Sequence, residues 1–313
     1  MYFPYVRGRQ YELLALRELA SQSLLSAKIV PIIEPVKLSS TLFKTMEEFI
    51  KKEKKLGIIC NPAVGSFNSD MKDNANDINK RKFLSLLDDE HIVKTHIMKK
   101  KSAVQFSVWE QKKGVKKSDW IVINNDRDTL TEYSEIFDSS VPQYVLIPDE
   151  SAFRRKVCRN KVIFEDRFNK CERNSDYLGK DDEFFSEDHL YYRDDGFVGF
   201  ADYSIIGKDY LESGFAPYAV AIHIVYFAKD ESIRIHHFVS DTNDDIQNPA
   251  KKFYEAVRKL ARWCNINDII ITTGLQAFLD HYQNQTYPGL GSVKKLSLMH
   301  HLELVGKYLD GVE

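Results

Sequence analysis

Short apolar runs that alternate with helix-forming stretches constrain the fold of this chain more than any other feature. Eight β-prone runs lie near residues 3, 30, 58, 94, 121, 145, 163 and 199, and most are followed by an amphipathic stretch. Because parallel strands need a crossover between them, this alternation predicts a parallel sheet. Eight such units in about 200 residues predict an α/β fold of the (β/α)8 TIM-barrel-like type, and the competing prediction is an open doubly wound sheet.

The pattern changes beyond Gly207. Two β-rich runs, 218–227 and 233–239, are separated by a short polar turn and predict a hairpin. Helical periodicity follows over 250–264, 275–282 and 293–309. We therefore expect a barrel over residues 1–207, and over residues 208–313 a hairpin with helices that packs on the barrel or completes it. Either the run near residue 199 or the first strand of the hairpin supplies the last barrel strand.

Charge and cysteine content narrow the class of protein. The 313 residues include 44 basic and 46 acidic side chains, a net charge of −2, so a general attraction to nucleic acid is disfavoured. The four cysteines are scattered and form no CxxC pair, which excludes a zinc-ribbon spacing and is typical of a reducing compartment. No apolar run approaches the ~18 residues that span a bilayer, and the N-terminus has no signal-like pattern. The expected location is cytoplasmic, away from membranes.

Two segments have a biased charge. Residues 94–117 contain eight lysines against the single acid Glu110, and residues 181–195 contain seven acids against Arg193. Each segment predicts either a solvated surface or a partner surface. A phosphate backbone would suit the first segment, and a cation or a basic partner would suit the second.

Polar side chains follow most of the predicted strands. In a barrel, the residues just past each strand project onto one common face, where active sites lie. That face is predicted to receive Arg7, Glu34, Asn61, Lys99, Asn124 or Asp126, Asp149 or Glu150, Glu165 or Asp166, and Asp202. Taken singly, each of these residues is typical of a helix cap or a solvated surface, and only as a group, on a real barrel, do they favour a site.

The predicted catalytic residues of this face are Glu34, Glu165, Asp166 and Asp202. Glu165, Asp166 and Asp202 are also the predicted ligands of a Mg²⁺ or Mn²⁺ ion, because hard cations take oxygen ligands and keep positions open for a substrate phosphate. The same carboxylates alternatively supply a general acid and base without a metal. The predicted substrate-binding residues are Arg7, Lys37, Asn61 and Arg167.

The predicted hairpin carries three histidines. Alternation places His236 and His237 on opposite faces of one strand, and His223 lies on the other strand. His223 and one member of the pair are therefore expected to face each other, with Asp241 nearby. Such a group is either a soft-metal or acid–base site, or a set of ordinary hydrogen-bonded sheet histidines.

Four segments give the chain a resemblance to a known family. They are YFPYVRGRQYE from residue 2, IIEPVK from residue 32, EDRF from residue 165 and GFADYSIIG from residue 199. On these segments the chain resembles the protein beta family of bacterial and phage-related mobile elements over nearly its whole length. The resemblance implies a mobile-element setting, such as phage defence, and a separately encoded partner. It carries over no catalytic residue.

Two hypotheses of function follow. The first is a hydrolase or transferase that depends on a divalent metal and acts on a phosphorylated or nucleotide substrate at the carboxylate-rich face. The second is a catalytically silent barrel that serves as a protein-binding or regulatory module, with the two charged segments as partner surfaces. Direct binding of nucleic acid through residues 94–117 is less favoured, because the net charge is −2.

Overall fold

The computed structural model of the chain describes residues 1–212 and 217–311. Its strands are β1 (Tyr5–Arg7), β2 (Ile32–Glu34), β3 (Leu56–Ile59), β4 (Ile92–Ile97), β5 (Ile121–Ile123), β6 (Tyr144–Ile147), β7 (Lys161–Glu165), β8 (Asp182–Ser186), β9 (Gly199–Asp202), β10 (Ala221–Phe227) and β11 (Ile233–Val239). Eight of them form a parallel sheet in the order β1-β2-β3-β4-β5-β6-β7-β9. Most are runs of Ile, Val and Leu, which suit strands that are buried on both faces.

The first and last strands of this sheet meet and close a barrel. Tyr2 pairs in parallel with Phe200, and the backbone N–H of Phe3 donates to the carbonyl oxygen of Phe200 over 2.9 Å. The N–H of Phe200 donates in turn to the carbonyl of Met1 over 3.0 Å. The predicted (β/α)8 barrel is confirmed, and the run near residue 199 supplies its last strand.

Helices connect the strands. They are α1 (Gln10–Ser21), α2 (Ser40–Lys51), α3 (Phe67–Asp70), α4 (Asp77–Leu87), α5 (Ser102–Lys113), α6 (Leu130–Ile136), α7 (Ser151–Lys156), α8 (Asp188–Tyr191), α9 (Pro249–Ile266), α10 (Thr273–Gln283) and α11 (Leu290–Gly311). Local sequence sets their starts: in α2, Ser39 accepts a hydrogen bond from the N–H of Leu42 over 3.3 Å and so caps the first turn. Within the described ranges, no helix has the length and apolar character needed to cross a membrane.

The chain divides into two compact units. The barrel unit comprises Met1–Arg9, Ala27–Glu165 and Asp188–Asp202. The hairpin unit comprises Gln10–Ser26, Asp166–Glu187 and Tyr203–Glu313. Each unit is built from segments that are distant in sequence, so neither can form from one continuous half of the chain.

Strand register determines which side chains point into the barrel. The rings of Tyr5 and Phe164 stack with centroids 5.6 Å apart, although β9 lies between their strands, so both rings occupy the interior. A Cβ on Gly57 would lie 3.0 Å from Oγ1 of Thr95 and 3.1 Å from the side chain of Ile32, so these three positions also share the interior. Because side chains alternate along a strand, residues two positions further along also point inward.

The intervening positions point outward, towards the helices. His96 on β4 follows the inward Thr95, and its ring lies 4.5 Å from Phe106 of α5 and 6.0 Å from Trp120. Phe200 on β9 likewise packs outward against Tyr192, with ring centroids 5.6 Å apart. The barrel core is therefore two layers, one inside the sheet and one between the sheet and its helices.

In the hairpin unit, β10 and β11 pair as an antiparallel hairpin, and β8 pairs with β11 to complete a three-stranded sheet. The hairpin was predicted, whereas the acidic segment that forms β8 was not predicted to be a strand. Helices α9 and α11 pack on this sheet, and α1 packs on α11. The helices α1 and α11 meet closely at Gly291, where a Cβ would lie 2.0 Å from the ring of Tyr11.

Candidate functional site at the carboxyl rim of the barrel

Glu34 is a fully buried carboxylate at the carboxyl rim, by which we mean the residues at or just past the carboxyl ends of the barrel strands. Its Oε2 accepts a hydrogen bond from the hydroxyl of Tyr5 over 2.6 Å and another from Arg7. Its Oε1 accepts from the backbone N–H of Ala63 over 2.6 Å. A buried carboxylate needs a cation and hydrogen bonds to compensate for lost hydration, and Glu34 has both.

Alternation along β1 and β2 assembles this group. Arg7 and Glu34 are register partners, and Tyr5 lies two residues before Arg7, so all three side chains point into the barrel. The side chain of Arg7 is 11% exposed, and its Nη1 also donates to the Tyr5 hydroxyl over 3.0 Å. The sequence reasoning included Arg7 and Glu34 but missed Tyr5, although the two-residue spacing to Arg7 was a usable signal.

Asn61 and Lys99 continue the rim beyond β3 and β4. The amide of Asn61 accepts from the N–H of Ile97 over 2.9 Å and donates to the carbonyl of Ile97 over 2.8 Å, so it extends the pairing of these strands. The ammonium of Lys99 donates to the backbone carbonyl of Asn61 over 3.1 Å. Partial burial lowers the pKa of Lys99 from its usual value, because loss of hydration disfavours the charged form.

Glu165 and Asp202 lie on the opposite side of the sheet from Glu34. They are register partners on β7 and β9, and the residues that precede them point into the barrel, so both carboxylates point outward. Asp202 is 4% exposed, and its Oδ1 accepts from the hydroxyl of Tyr2 over 2.7 Å. The Oε1 of Glu165 accepts from the backbone N–H of Asp149 over 2.9 Å. The expectation that all strand-end carboxylates share one face is therefore corrected.

The other predicted site residues are more scattered. Asp166 belongs to the hairpin unit, where its two oxygens accept from the N–H groups of Phe168 and Lys208 over 3.2 and 2.8 Å. Arg167 is half-buried in the same unit. Lys37 is exposed and follows β2 in the barrel unit.

The donor set does not fit the predicted Mg²⁺ or Mn²⁺ ion. Throughout residues 1–212 and 217–311, no three His, Cys, Asp or Glu side chains lie close enough together to hold a metal. The oxygens of Asp166 are taken by backbone N–H groups, and Glu165 and Asp202 each give one oxygen to a hydrogen bond. We therefore derive no catalytic step through a metal.

Among the remaining strand-end residues, Asp126 caps a helical turn, as the alternative interpretation predicted, whereas Asn124 and Glu150 make other contacts. The Oδ1 of Asn124 accepts from the hydroxyl of Thr129 over 2.7 Å, and Asp126 accepts from the N–H of Asp128 over 3.0 Å. Glu150 forms a surface ion pair with an arginine. These groups hold loops and helix starts in place.

Comparison with protein-family models, curated proteins and solved structures gave no match. The class of the protein therefore follows from its architecture: a (β/α)8 barrel with an added three-stranded sheet and helices. A barrel does not specify a reaction, so function has to be argued from the carboxyl rim. Membership of the protein beta family stays a prediction.

Proposed function

We propose that the protein is a barrel enzyme that hydrolyses, or transfers a group from, an anionic small molecule of the phosphorylated or nucleotide kind. The observation that carries this proposal is a set of cations at the carboxyl ends of β1, β2 and β4, three of four consecutive strands of the sheet. Arg7 ends β1, Lys37 follows β2 and Lys99 follows β4. Glu34 is already paired with Arg7, so the two lysines leave this part of the rim with an excess of positive charge.

Lys99 is the residue of this set best suited to bind a phosphate. Its ammonium is held by one hydrogen bond to the carbonyl of Asn61, and it is an exposed residue that a ligand can reach. Its lowered pKa also makes it easier to deprotonate than an ordinary lysine. An anion beside it would favour the charged form, so binding and proton uptake would be coupled.

The chemistry supported by this arrangement is acid–base chemistry. Lys99 would hold the anionic group and pass a proton to the leaving oxygen, while Arg7 would offset the negative charge that develops on the substrate. Glu34 keeps Arg7 in position, because it accepts a hydrogen bond from it within the barrel interior. The outward carboxylates Glu165 and Asp202 have no part in this scheme.

The proposal is tested with a ligand panel and two lysine variants. Inorganic phosphate, pyrophosphate, AMP and ATP are titrated at constant ionic strength into the wild type, into Lys99→Gln and into Lys112→Gln, and binding is measured by calorimetry. Lys112 is an exposed lysine of α5 and serves as the matched control. We expect Lys99→Gln to weaken binding about tenfold or more, because a hydrogen bond to a charged group is lost, and Lys112→Gln to have no effect.

The same samples are then assayed for release of phosphate. Turnover that is lost in Lys99→Gln and retained in Lys112→Gln would support the enzyme. The proposal fails if no member of the panel binds saturably, or if Lys99→Gln binds and turns over the ligand as well as the wild type.

A second candidate function, a partner-binding module, is favoured by the surface around α5. Lys100, Lys112 and Lys116 are exposed, and the described residues offer them no ion-pair partner. Val104 and Val108 of the same helix are 62% and 43% exposed. A helix that presents apolar side chains between lysines suits an acidic partner, such as the separately encoded protein that the resemblance to protein beta implies.

This candidate is tested by purification of the tagged chain from its own cells. We expect a stoichiometric partner that is lost when Lys112 and Lys116 are both changed to Gln, and retained when Lys51 and Lys72, two exposed lysines elsewhere in the barrel unit, are changed instead. Recovery of the chain alone from all samples would count against the module. Recovery of nucleic acid that is released steeply by salt would indicate the less favoured third hypothesis.

A further inference from the structure

Two histidines face each other in the sheet of the hairpin unit. His223 on β10 and His237 on β11 are register partners, and their Nδ1 atoms are 2.7 Å apart. The prediction that His223 faces one histidine of the adjacent pair is confirmed. Asp241, which was expected nearby, instead pairs with Lys259 over 2.6 Å.

The acidic partner of this pair comes from β8. The Oε2 of Glu183 lies 3.0 Å from Nε2 of His237. Glu183 is the register partner of Ile235, which lies two residues before His237, so the two side chains share one face of the sheet. Glu183, His237 and His223 thus form one continuous chain of hydrogen bonds across three strands.

The chemistry of these groups fixes the positions of the protons. A carboxylate oxygen accepts hydrogen bonds, so Nε2 of His237 carries a proton and donates it to Glu183. Burial lowers the pKa of His237 and of His223, the latter to about 3, so both rings are neutral at pH 7. The Nδ1 of His237 is then an acceptor, and the Nδ1–H of His223 donates to it. The lone pair of His223 is left on Nε2.

The surroundings distinguish the two ends of this chain. The side chain of His237 is fully buried, whereas His223 is partly exposed. The ring of Tyr177 lies 4.7 Å from His223 and 4.5 Å from His237, and that of Phe168 lies 5.3 Å from His223. The hydroxyl of Tyr177 accepts from the N–H of Cys171 over 2.9 Å, which fixes the ring in place.

We propose that His223 is the proton-accepting residue of a second site in this protein, with His237 and Glu183 as positioning residues. The ligand that suits the site is a molecule with a hydroxyl group on an apolar or aromatic body. Two neutral imidazoles offer no positive charge to an anion, so a neutral O–H donor matches the lone pair on Nε2. The rings of Phe168 and Tyr177 lie against the imidazole of His223 and give its surroundings an apolar, aromatic character.

The proton balance of the site is as follows. The ligand hydroxyl gives its proton to Nε2 of His223, and the Nδ1 proton of His223 moves to Nδ1 of His237. His237 thereby becomes an imidazolium, and the carboxylate of Glu183 beside it stabilises the positive charge. A purely structural pair would have the same hydrogen bonds and the same tautomers, so the reactivity of Nε2 of His223 towards a probe is what distinguishes the two cases.

The first test reads the tautomers of the wild-type protein. Protein labelled with ¹⁵N-histidine is studied at pH 7 by long-range proton–nitrogen correlation, and the signals are assigned with His223→Gln and His237→Gln. We expect the Nδ1–H tautomer for His223 and the Nε2–H tautomer for His237. An Nε2–H tautomer at His223 would overturn the proposal, because its lone pair would then face His237.

The second test measures whether the lone pair can react, with diethyl pyrocarbonate itself as the probe. Nε2 of His223 attacks a carbonyl carbon, the bond from that carbon to the ethyl carbonate group breaks, and the Nδ1 proton leaves towards His237. Rates are measured by mass spectrometry for each histidine. His281, a half-exposed histidine whose Nδ1 is bonded to the hydroxyl of Thr286 over 2.7 Å, is the internal control.

The matched variant is Glu183→Gln, which keeps an acceptor for His237 but removes the charge. We expect it to slow modification of His223 by about tenfold, because a hydrogen bond to a charged group is exchanged for a neutral one, and to leave His281 unchanged. The proposed proton transfer through His223 and His237 is refuted if His223 is inert while His281 reacts. It is also refuted if Glu183→Gln leaves the rate at His223 unaltered.

Discussion

Lowering the pH from 7.5 to 5.5 should destabilise the folded chain through its buried histidines. Burial lowers the pKa of His96 to about 3, that of His300 to about 4 and that of His301 to about 3. At most 1% of the surface of each of these residues is exposed, and each ring forms a hydrogen bond that suits its neutral form. The folded state therefore resists protonation of all three.

The size of this destabilisation follows from the difference between the histidine pKa values of the folded and unfolded states. An unfolded histidine has a pKa of about 6.5, so below that pH the unfolded chain binds protons that the folded chain does not. Above about pH 6.5 each neutral histidine makes its full contribution to the free energy of unfolding. That contribution is lost as the pH falls from about 6.5 towards the pKa of the histidine in the folded state. At pH 5.5 each histidine costs about 1.4 kcal/mol and the three together about 4 kcal/mol. That is a large part of the 5–15 kcal/mol that typically stabilises a domain.

The assay is urea unfolding at pH 7.5, 6.5 and 5.5, followed by circular dichroism. The control is His300→Gln, because the amide can still donate to the carbonyl of Val225, which Nε2 of His300 contacts over 2.7 Å, but cannot titrate. We expect the loss between pH 7.5 and 5.5 to be smaller by about 1.4 kcal/mol in this variant. An unfolding free energy that does not change over this range would refute the reasoning, since carboxylates, with pKa values of about 4, do not titrate there.

Three substitutions at the barrel strands give further expectations, all measured by urea unfolding. Glu34→Gln should lower the free energy of unfolding by about 3–5 kcal/mol, because it leaves the mostly buried Arg7 without its counter-charge. A variant as stable as the wild type would show that the ion pair does not stabilise the fold. Asp202→Asn should cost about 1–3 kcal/mol, because it weakens the acceptor of the Tyr2 hydroxyl, and Tyr2→Phe in the same background should then cost less than in the wild type. Lys99→Gln should stay within about 0.5 kcal/mol of the wild type, and a larger loss would mark Lys99 as structural.

The barrel could be predicted from the sequence because its signals are local. Apolar β-branched runs such as Ile121–Ile123, each followed by a helical stretch, repeat through the first 200 residues, and they need no knowledge of distant contacts. The closure of the sheet could not be predicted in the same way. It depends on backbone hydrogen bonds of Phe200 with Phe3 and with Met1, which are almost 200 residues away in the chain.

The candidate site was predicted only in part, because a strand end has two faces. Counting from the last apolar residue of a run leaves an uncertainty of one position, and a shift of one position moves a side chain from the inside of the barrel to the outside. Arg7 and Glu34 were placed together by their strands, as expected. Glu165 and Asp202 also face each other in register, but on the outer side, where Asp202 binds a tyrosine hydroxyl.

The histidine pair also shows that contacts within a local structure can be predicted from the sequence, whereas contacts between distant segments cannot. His223 and His237 could be predicted to face each other because a hairpin is a local structure whose turn fixes its register. Their acidic partner could not be predicted, because Glu183 lies in a segment so rich in acids that its composition indicated a solvated surface. That segment becomes β8 because Asp182 binds Arg234, Glu183 binds His237 and Phe185 is buried. The pairing partners of an acidic strand therefore decide whether its charges are solvated or enclosed, and those partners lie some 50 residues away.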